Sequence, residues 1–394
     1  MRWFNRIEQT LVFALAGFLF WPNIVSSILL IALVVVRILR SGKDALPTKL
    51  EWWLTTPAAL IVAAWLLHGA EAEGVAEVQL WATWIGAMVY FKSSPFRSFF
   101  KQSLVIASLL QAACILIVFG LGGIEINESF SQDFRDQMGV LFRVHPTYVS
   151  AVWFWAGLWL VYEERWRLRY RIVGIAALVI TASLMGGKMP FLAFTIALTL
   201  VVFLRVSIVR LRLALIGTLM LVAALNAMFN PGISGRFNEL LKPDISNTEN
   251  HWLTSTELRL GVWDCAASVA KDHWSFGLGT GATRPALEAC FKEYENHQYF
   301  ATEFNSHNQY IHFWLVGGVF CFLSFLGFLG WLWYEAIKRK RSALLGTLLF
   351  VCLLLMTENY FSRQAGMMFI SFSIFSLHYR SQVDVRSTPS SVSM

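Results

Sequence analysis

Residues 211–228 read LRLALIGTLMLVAALNAM, with a single charge at Arg212 and no polar stripe at helical spacing. A helix of that length rises about 27 Å, close to the ~30 Å hydrocarbon core of a bilayer. Directly after it, residues 229–306 hold most of the polar sequence that lies between apolar blocks. On either side the apolar pattern repeats, near 7–21, 23–39, 51–67, 75–90, 99–120, 145–162, 172–186 and 189–204, then 307–333, 343–357 and 365–379. With 211–228 these make twelve expected spans. The first two are short and divided by the turn signal Trp21-Pro22-Asn23, so they also read as one broken hairpin. No small-residue cleavage site follows the first apolar run, which predicts a retained helix.

Composition leads to the same class. With 56% hydrophobic and 14% charged residues and a mean hydropathy of +0.55, the chain has too little polar surface to cover a soluble globule. Its net charge of +7 would suggest nucleic acid in a soluble protein, yet the positive residues sit in short loops between apolar blocks. With the N-terminus inside, 22 of the 32 Lys and Arg fall on the inner side, including the runs Arg165 to Arg171 and Lys338 to Arg341. That asymmetry sets orientation and excludes the nucleic-acid reading; the runs themselves read as anchors beside anionic membrane lipids.

The same orientation exports residues 229–306 to the outer face. The segment opens on Asn230-Pro231-Gly232 and passes Pro243-Asp244 and the polar stretch Ser246 to Asn250. A helix is predicted from Ser255 to Trp274, where Leu258, Val262, Cys265, Ala266 and Val269 give helical apolar spacing. A second is predicted from Arg284-Pro285 to Glu295, and the tail after Arg386 reads as disordered. The division is residues 1–228 with nine spans, 229–306 as the loop, 307–380 with three spans, and 381–394 as the tail. Of five cysteines, Cys265 and Cys290 fall in the loop and could pair in an oxidising compartment; no spacing suggests a zinc site.

Several residues near the outer surface are candidates for chemistry. Gly277-Leu278-Gly279-Thr280-Gly281 could admit an anion, but it follows no strand and lacks the Lys-Ser/Thr of a nucleotide loop, which favours a tight turn. Arg259 either pairs with Glu257 or Asp264 or grips a phosphate with its planar fork. His307, within Asn305-Ser306-His307-Asn308-Gln309-Tyr310, is a cap or a proton acceptor. His312 faces elsewhere. Lys188, in the short turn Met185-Gly186-Gly187-Lys188, is a snorkelling or functional cation. Arg143 and His145, before Pro146-Thr147-Tyr148, form another outer pair, and Arg363 either pairs with Glu358 or joins the same set. These cations arise from four places in the chain at the level of a lipid phosphate, and no clustered carboxylates mark a metal site.

Taken together, these motifs resemble the O-antigen ligase and polymerase superfamily of bacterial membrane glycosyltransferases. The resemblance rests on the long outer loop, Glu257-Leu258-Arg259 with Trp263, Gly277-Leu278-Gly279, Ser306 to Tyr310 followed by Gly317-Gly318, His145 to Tyr148, and Thr357-Glu358 with Arg363 and Gly366. It implies an all-α, GT-C-like polytopic membrane protein of about 12 transmembrane helices in the bacterial inner membrane, with one large, mainly helical periplasmic loop. It further implies transfer of a glycan from an undecaprenyl-diphosphate carrier to a sugar hydroxyl of a lipid A-core acceptor, by inverting displacement without metal or other cofactor. In that scheme His307 and Arg259 are catalytic, and Lys188, Arg143, His145, Tyr148, Arg363 and Asn308 bind substrate. The family often has arginine where this chain has Lys188, which keeps the charge but loses the fork. Polymerases and protein O-oligosaccharyltransferases use the same donor. A transporter would instead show paired repeats and mid-membrane charges, which the nearly charge-free spans argue against. A non-catalytic scaffold would lack transfer activity.

Overall fold

The computed structural model describes residues 2–48, 51–120, 130–229, 253–294, 296, 298–301 and 304–379. Among them all regular structure is helical. The helices of the first part are α1 (Arg2–Ala16), α2 (Asn23–Ser41), α3 (Thr56–Leu67), α4 (Val75–Ser93), α5 (Arg97–Gly120), α6 (Phe130–Phe142), α7 (Pro146–Leu160), α8 (Leu168–Leu184), α9 (Lys188–Arg205) and α10 (Val209–Phe229). The outer segment holds α11 (Ser255–Asp272), α12 (Gly279–Phe291) and the short α13 (Gln298–Ala301). Then follow α14 (Gln309–Lys338), α15 (Ser342–Leu355) and α16 (Gln364–His378). The expected turns between 230 and 252 and the expected disordered tail, 381–394, lie outside the described residues.

Each of the twelve apolar segments contains a helix. Among the described residues five are long and apolar enough to cross a membrane, at Asn23–Ala45, Arg97–Val118, Lys188–Arg205, Val209–Phe229 and Gln309–Lys338, while Glu51–Leu67 and Ser342–Leu355 are shorter apolar helices. α10 shows why water cannot be the solvent: its mean hydropathy is 1.9, yet it buries no residue in the protein. An apolar surface of that extent is stable only against lipid.

The fold departs from the apolar pattern in several places. No span is predicted between residues 120 and 145, yet α6 forms there; its sequence, with Asp133, Arg135 and Asp136 among apolar residues, is amphipathic and holds no long apolar block. The second loop helix begins at Gly279, five residues before the expected start, with Pro285 inside it. The spans are also less charge-free than expected. Glu8 of α1 is fully buried against Arg37 and Arg40 of α2, at 2.8 and 2.9 Å, where each charge offsets the desolvation of its partners.

The largest departure is in α14, which breaks at Gly317 and Gly318. A regular helix would bond the Val319 N–H to the Leu315 carbonyl. Here the Val319 N–H donates to the carbonyl of Trp274 (2.8 Å) and the Leu315 carbonyl accepts from Leu278 (2.7 Å), so the turn after α11 is inserted into the ladder. Gly318 has φ +67°, and a Cβ there would lie 1.9 Å from the Ser275 carbonyl oxygen. The Gly277 cluster is thus a backbone-to-backbone packing device, in agreement with the tight turn expected.

The core beside the 357–363 turn is aromatic. Phe313 of α14 stacks on Phe325 with ring centres 4.1 Å apart, and Trp81 and Trp84 of α4 pack on Phe361 at 5.1 and 5.6 Å. Such pairs contribute ~0.5–1.5 kcal/mol each beyond area burial. They clamp the 357–363 turn against α4 and α14.

Candidate functional site

A cavity of about 760 Å³ opens among the first turns of α2, α7, α9, α11 and α16 and the residues leading into α14. Helix N-termini carry partial positive charge and unsatisfied N–H groups, so their convergence favours an anion there. The charged side chains lining it are Arg135, Arg143, Lys188, Arg259 and Arg363, with one carboxylate, Glu358.

The four polar residues that flank His307 turn out to be structural. Ser306 bonds Asn359 (3.0 Å); Asn308 caps α14 by accepting from Tyr310 and Ile311; the Gln309 side chain accepts from Phe361 N–H (3.0 Å); and Tyr310 donates to the Cys352 carbonyl (3.0 Å). Together they pin the end of the loop to the turn after α15. Held between them, His307 adopts φ +42°, a left-handed conformation costly for a non-glycine residue. Asn305 accepts its backbone N–H (2.9 Å), and Trp263 of α11 donates to its carbonyl (3.3 Å). Its Nδ1 lies 3.3 Å from Glu358 Oε2.

Glu358 is buried, with a side chain 9% exposed, whereas His307 is 21% exposed at the cavity wall. Burial would raise the Glu358 carboxyl, but the hydrogen bond and charge of His307 and the charge of Arg259 outweigh it and bring it down to about 2. The carboxylate is therefore fixed in its charged form and aimed at one nitrogen of the imidazole.

The cations reach the cavity by different routes. Arg259 pairs with neither Glu257 nor Asp264. Glu257 closes a capping box with Thr254 at the start of α11, and Asp264 accepts from Tyr294 (3.0 Å). Among the described residues the guanidinium holds the Ser255 carbonyl (3.2 Å), and its buried Nε has no hydrogen-bond partner. Lys188 starts α9 after Gly186, which has φ +65°, and donates to Thr256 of α11 (2.9 Å), so Lys188 and Arg259 meet on one helix turn. Arg363 forms no ion pair with Glu358. Like Arg143, it is exposed, and its side chain makes no hydrogen bond or ion pair among the described residues.

Tyr148 is buried against Tyr360, and His145 caps α7 and lies 3.5 Å from Arg135. Of the substrate-binding set, Asn308 alone falls outside the cavity lining, its side-chain oxygen committed to the α14 cap. His312 points away, to Glu77 of α4 (2.6 Å). Arg135 and Thr256 carried no sequence signal as site residues, since α6 is amphipathic and Thr256 is an ordinary first-turn residue. Cys265 and Cys290 form a disulfide that joins α11 to α12. No group of three or more His, Cys, Asp or Glu with metal-holding geometry occurs among the described residues.

Residues 172–326, from α8 through the broken part of α14, match the family model Wzy_C, described as O-antigen ligase. The match includes Lys188, Arg259 and His307; Arg143, His145, Tyr148, Glu358 and Arg363 lie outside it. No curated protein matches the chain.

Proposed function

From the O-antigen ligase domain that the chain carries, we propose that the protein is a membrane glycosyltransferase. It moves a glycan from an undecaprenyl-diphosphate carrier to a sugar hydroxyl of lipid A-core, at a cavity facing the periplasm. The single observation that carries this reading is the His307–Glu358 pair on the wall of a cavity lined by Arg259 and Lys188. A carboxylate at Nδ1 selects the tautomer protonated there and leaves Nε2 to take a proton.

In the reaction, the acceptor hydroxyl gives its proton to His307 Nε2 as its oxygen bonds to the anomeric carbon. The bond from that carbon to the phosphate oxygen breaks on the opposite face, inverting the centre. Charge that develops on the departing diphosphate is stabilised by Arg259 and Lys188, aided by the α9 and α11 N-termini. Arg143 and Arg363 bind other anionic parts of the two substrates, and His145 and Tyr148 shape the wall. The imidazolium then returns its proton to water.

Twelve crossings in the bacterial inner membrane, with both termini inside, complete the reading. It is supported by the Lys and Arg asymmetry and by a disulfide in the outer segment, since such bonds persist in oxidising compartments. The test is to mix the purified protein with lipid-linked glycan and, separately, lipid A-core, a second lipid-linked glycan or an acceptor protein, and to identify the product by mass. Transfer only to lipid A-core is expected; transfer only to lipid-linked glycan makes the chain a polymerase, and no transfer in any arm rejects the enzyme reading.

A further inference from the structure

The turn between α11 and α12 belongs to the polar segment 229–306, yet among its described residues this turn exposes the largest apolar side chains. Trp274 and Phe276 are 59% and 64% exposed, beside Phe320 and Leu323 of α14 at 61% and 56%. Phe276 packs against Phe320 at a tilt, with ring centres 6.0 Å apart. At the same level the exposed Leu66 and Leu67 end α3, and the next residue, His68, reaches the Gly277 carbonyl through Nε2 (3.2 Å). The patch continues the apolar outer surface of α14 below it.

Helix length gives its height. α14 ends at Lys338 and Arg339 on the inner side, and twenty residues back from there, ~30 Å at 1.5 Å per residue, is the break at Gly317 and Gly318. The inserted turn therefore lies at the outer edge of the hydrocarbon core, the level at which Trp and other aromatic rings concentrate.

Part of its backbone is bonded within the protein. The Trp274 carbonyl accepts from Val319 N–H and from Trp314 Nε1 (3.1 Å), and the N–H groups of Gly277 and Leu278 donate to His273 and Leu315. Irregular backbone survives at membrane depth only when protein supplies such partners.

We propose that residues 274–278 are seated in the outer leaflet, with Trp274, Phe276 and Phe320 against lipid acyl chains and head groups. This interfacial anchor fixes the C-terminal end of α11 relative to the bilayer, and with it the height of Arg259 at the other end of the same helix. The inference rests on the chain being a membrane protein and holds whichever reaction the cavity performs.

The test is spin-label accessibility in full-length protein reconstituted into phosphatidylethanolamine–phosphatidylglycerol vesicles. The exposed Cys114 is replaced by Ser, and this background must take up no label. A label at Phe276→Cys is compared with labels at Leu323→Cys, on the lipid face of α14, and Lys292→Cys, at the exposed end of α12. The ratio of oxygen to nickel-chelate accessibility at position 276 should match that at 323 and exceed that at 292 several-fold. A ratio equal to that at 292 puts the turn in water and overturns the proposal. If Phe276→Cys does not reach the membrane, Trp274→Cys serves as the second label position, with the same two outcomes. Because no turnover is measured, a negative result here leaves the transfer reaction untouched, and loss of transfer leaves this result untouched.

Discussion

Glu358 and Arg259 act on the same cavity through different physics, and their variants should separate accordingly. Arg259→Ala removes charge stabilisation of the leaving group and should lower turnover ~10²–10³-fold, with Arg259→Lys recovering only part because the planar fork is gone. His307→Ala should lower turnover by roughly 10²–10⁴-fold while donor affinity, measured by direct binding of the lipid-linked glycan, stays near wild type. Equal losses of affinity and turnover would make His307 a binding residue. If Glu358 positions His307 as proposed, Glu358→Gln should cost about 10²-fold in turnover through the wrong tautomer, again with donor affinity kept. Its pH signature is distinct. The folded carboxyl lies at about 2 against an ordinary 4.5, so its contribution to stability is complete above 4.5 and is lost as pH falls from 4.5 through 2. Thermal unfolding of detergent-solubilised protein across that window should show a smaller pH dependence for Glu358→Gln than for wild type; identical curves would mean that the buried pair is not ionised as described. Sequence alone marked Arg259, His307 and Lys188, because a cation or an imidazole at a membrane surface is expensive and therefore conspicuous. It did not show that the Asn308 side-chain oxygen caps α14, since a helix cap and a ligand-binding amide look the same until the N–H groups they face are known.

The break in α14 illustrates what an element needs that periodicity does not display. Residues 307–333 read as one apolar run, and Gly317-Gly318 inside it is compatible with a helix, at some cost, so the insertion of the Trp274–Leu278 turn was invisible. Only the partner segment, some forty residues earlier, explains why two glycines are required. Gly318→Ala should therefore destabilise the protein well beyond the ordinary ~1 kcal/mol of a glycine substitution, because it combines a left-handed φ with a clash against backbone that cannot rotate away. Gly327→Ala, nine residues further along the same helix with nothing within 4 Å of the new Cβ, should be neutral or slightly stabilising. Comparing the two melting temperatures separates the break from general helix propensity; equal shifts would remove the special role of Gly318. The existence of the apolar helices was legible because lipid demands unbroken blocks. α6 was not, because an amphipathic surface helix leaves a signal no stronger than that of a polar loop.

At the scale of the whole molecule, the proposed reaction asks the fixed cations and converging helix N-termini to take the place that a divalent ion holds in many glycosyltransferases. Activity should accordingly persist in EDTA, and loss restored by added magnesium or manganese would show a metal requirement. The arrangement of those cations has meaning only if their side of the membrane is the outer one, and the charge pattern makes that testable. An apolar helix enters the bilayer with its basic flank retained on the cytoplasmic side, and 22 of 32 basic residues agree on one assignment. Under it, Glu293, beyond the end of α12, faces outward, and Arg339, beyond the end of α14, faces inward. Both are exposed, so a cysteine at either position is open to reagent. In intact spheroplasts an impermeant maleimide should label Glu293→Cys at once and Arg339→Cys only after lysis. The Cys265–Cys290 pair should resist the same reagent until a reductant is added, because both thiols are consumed in the disulfide. The reverse labelling order would place the cavity in the cytoplasm, where a periplasmic acceptor could not reach it. The transfer proposed here would then fail, even if Arg259 and His307 retained every contact described.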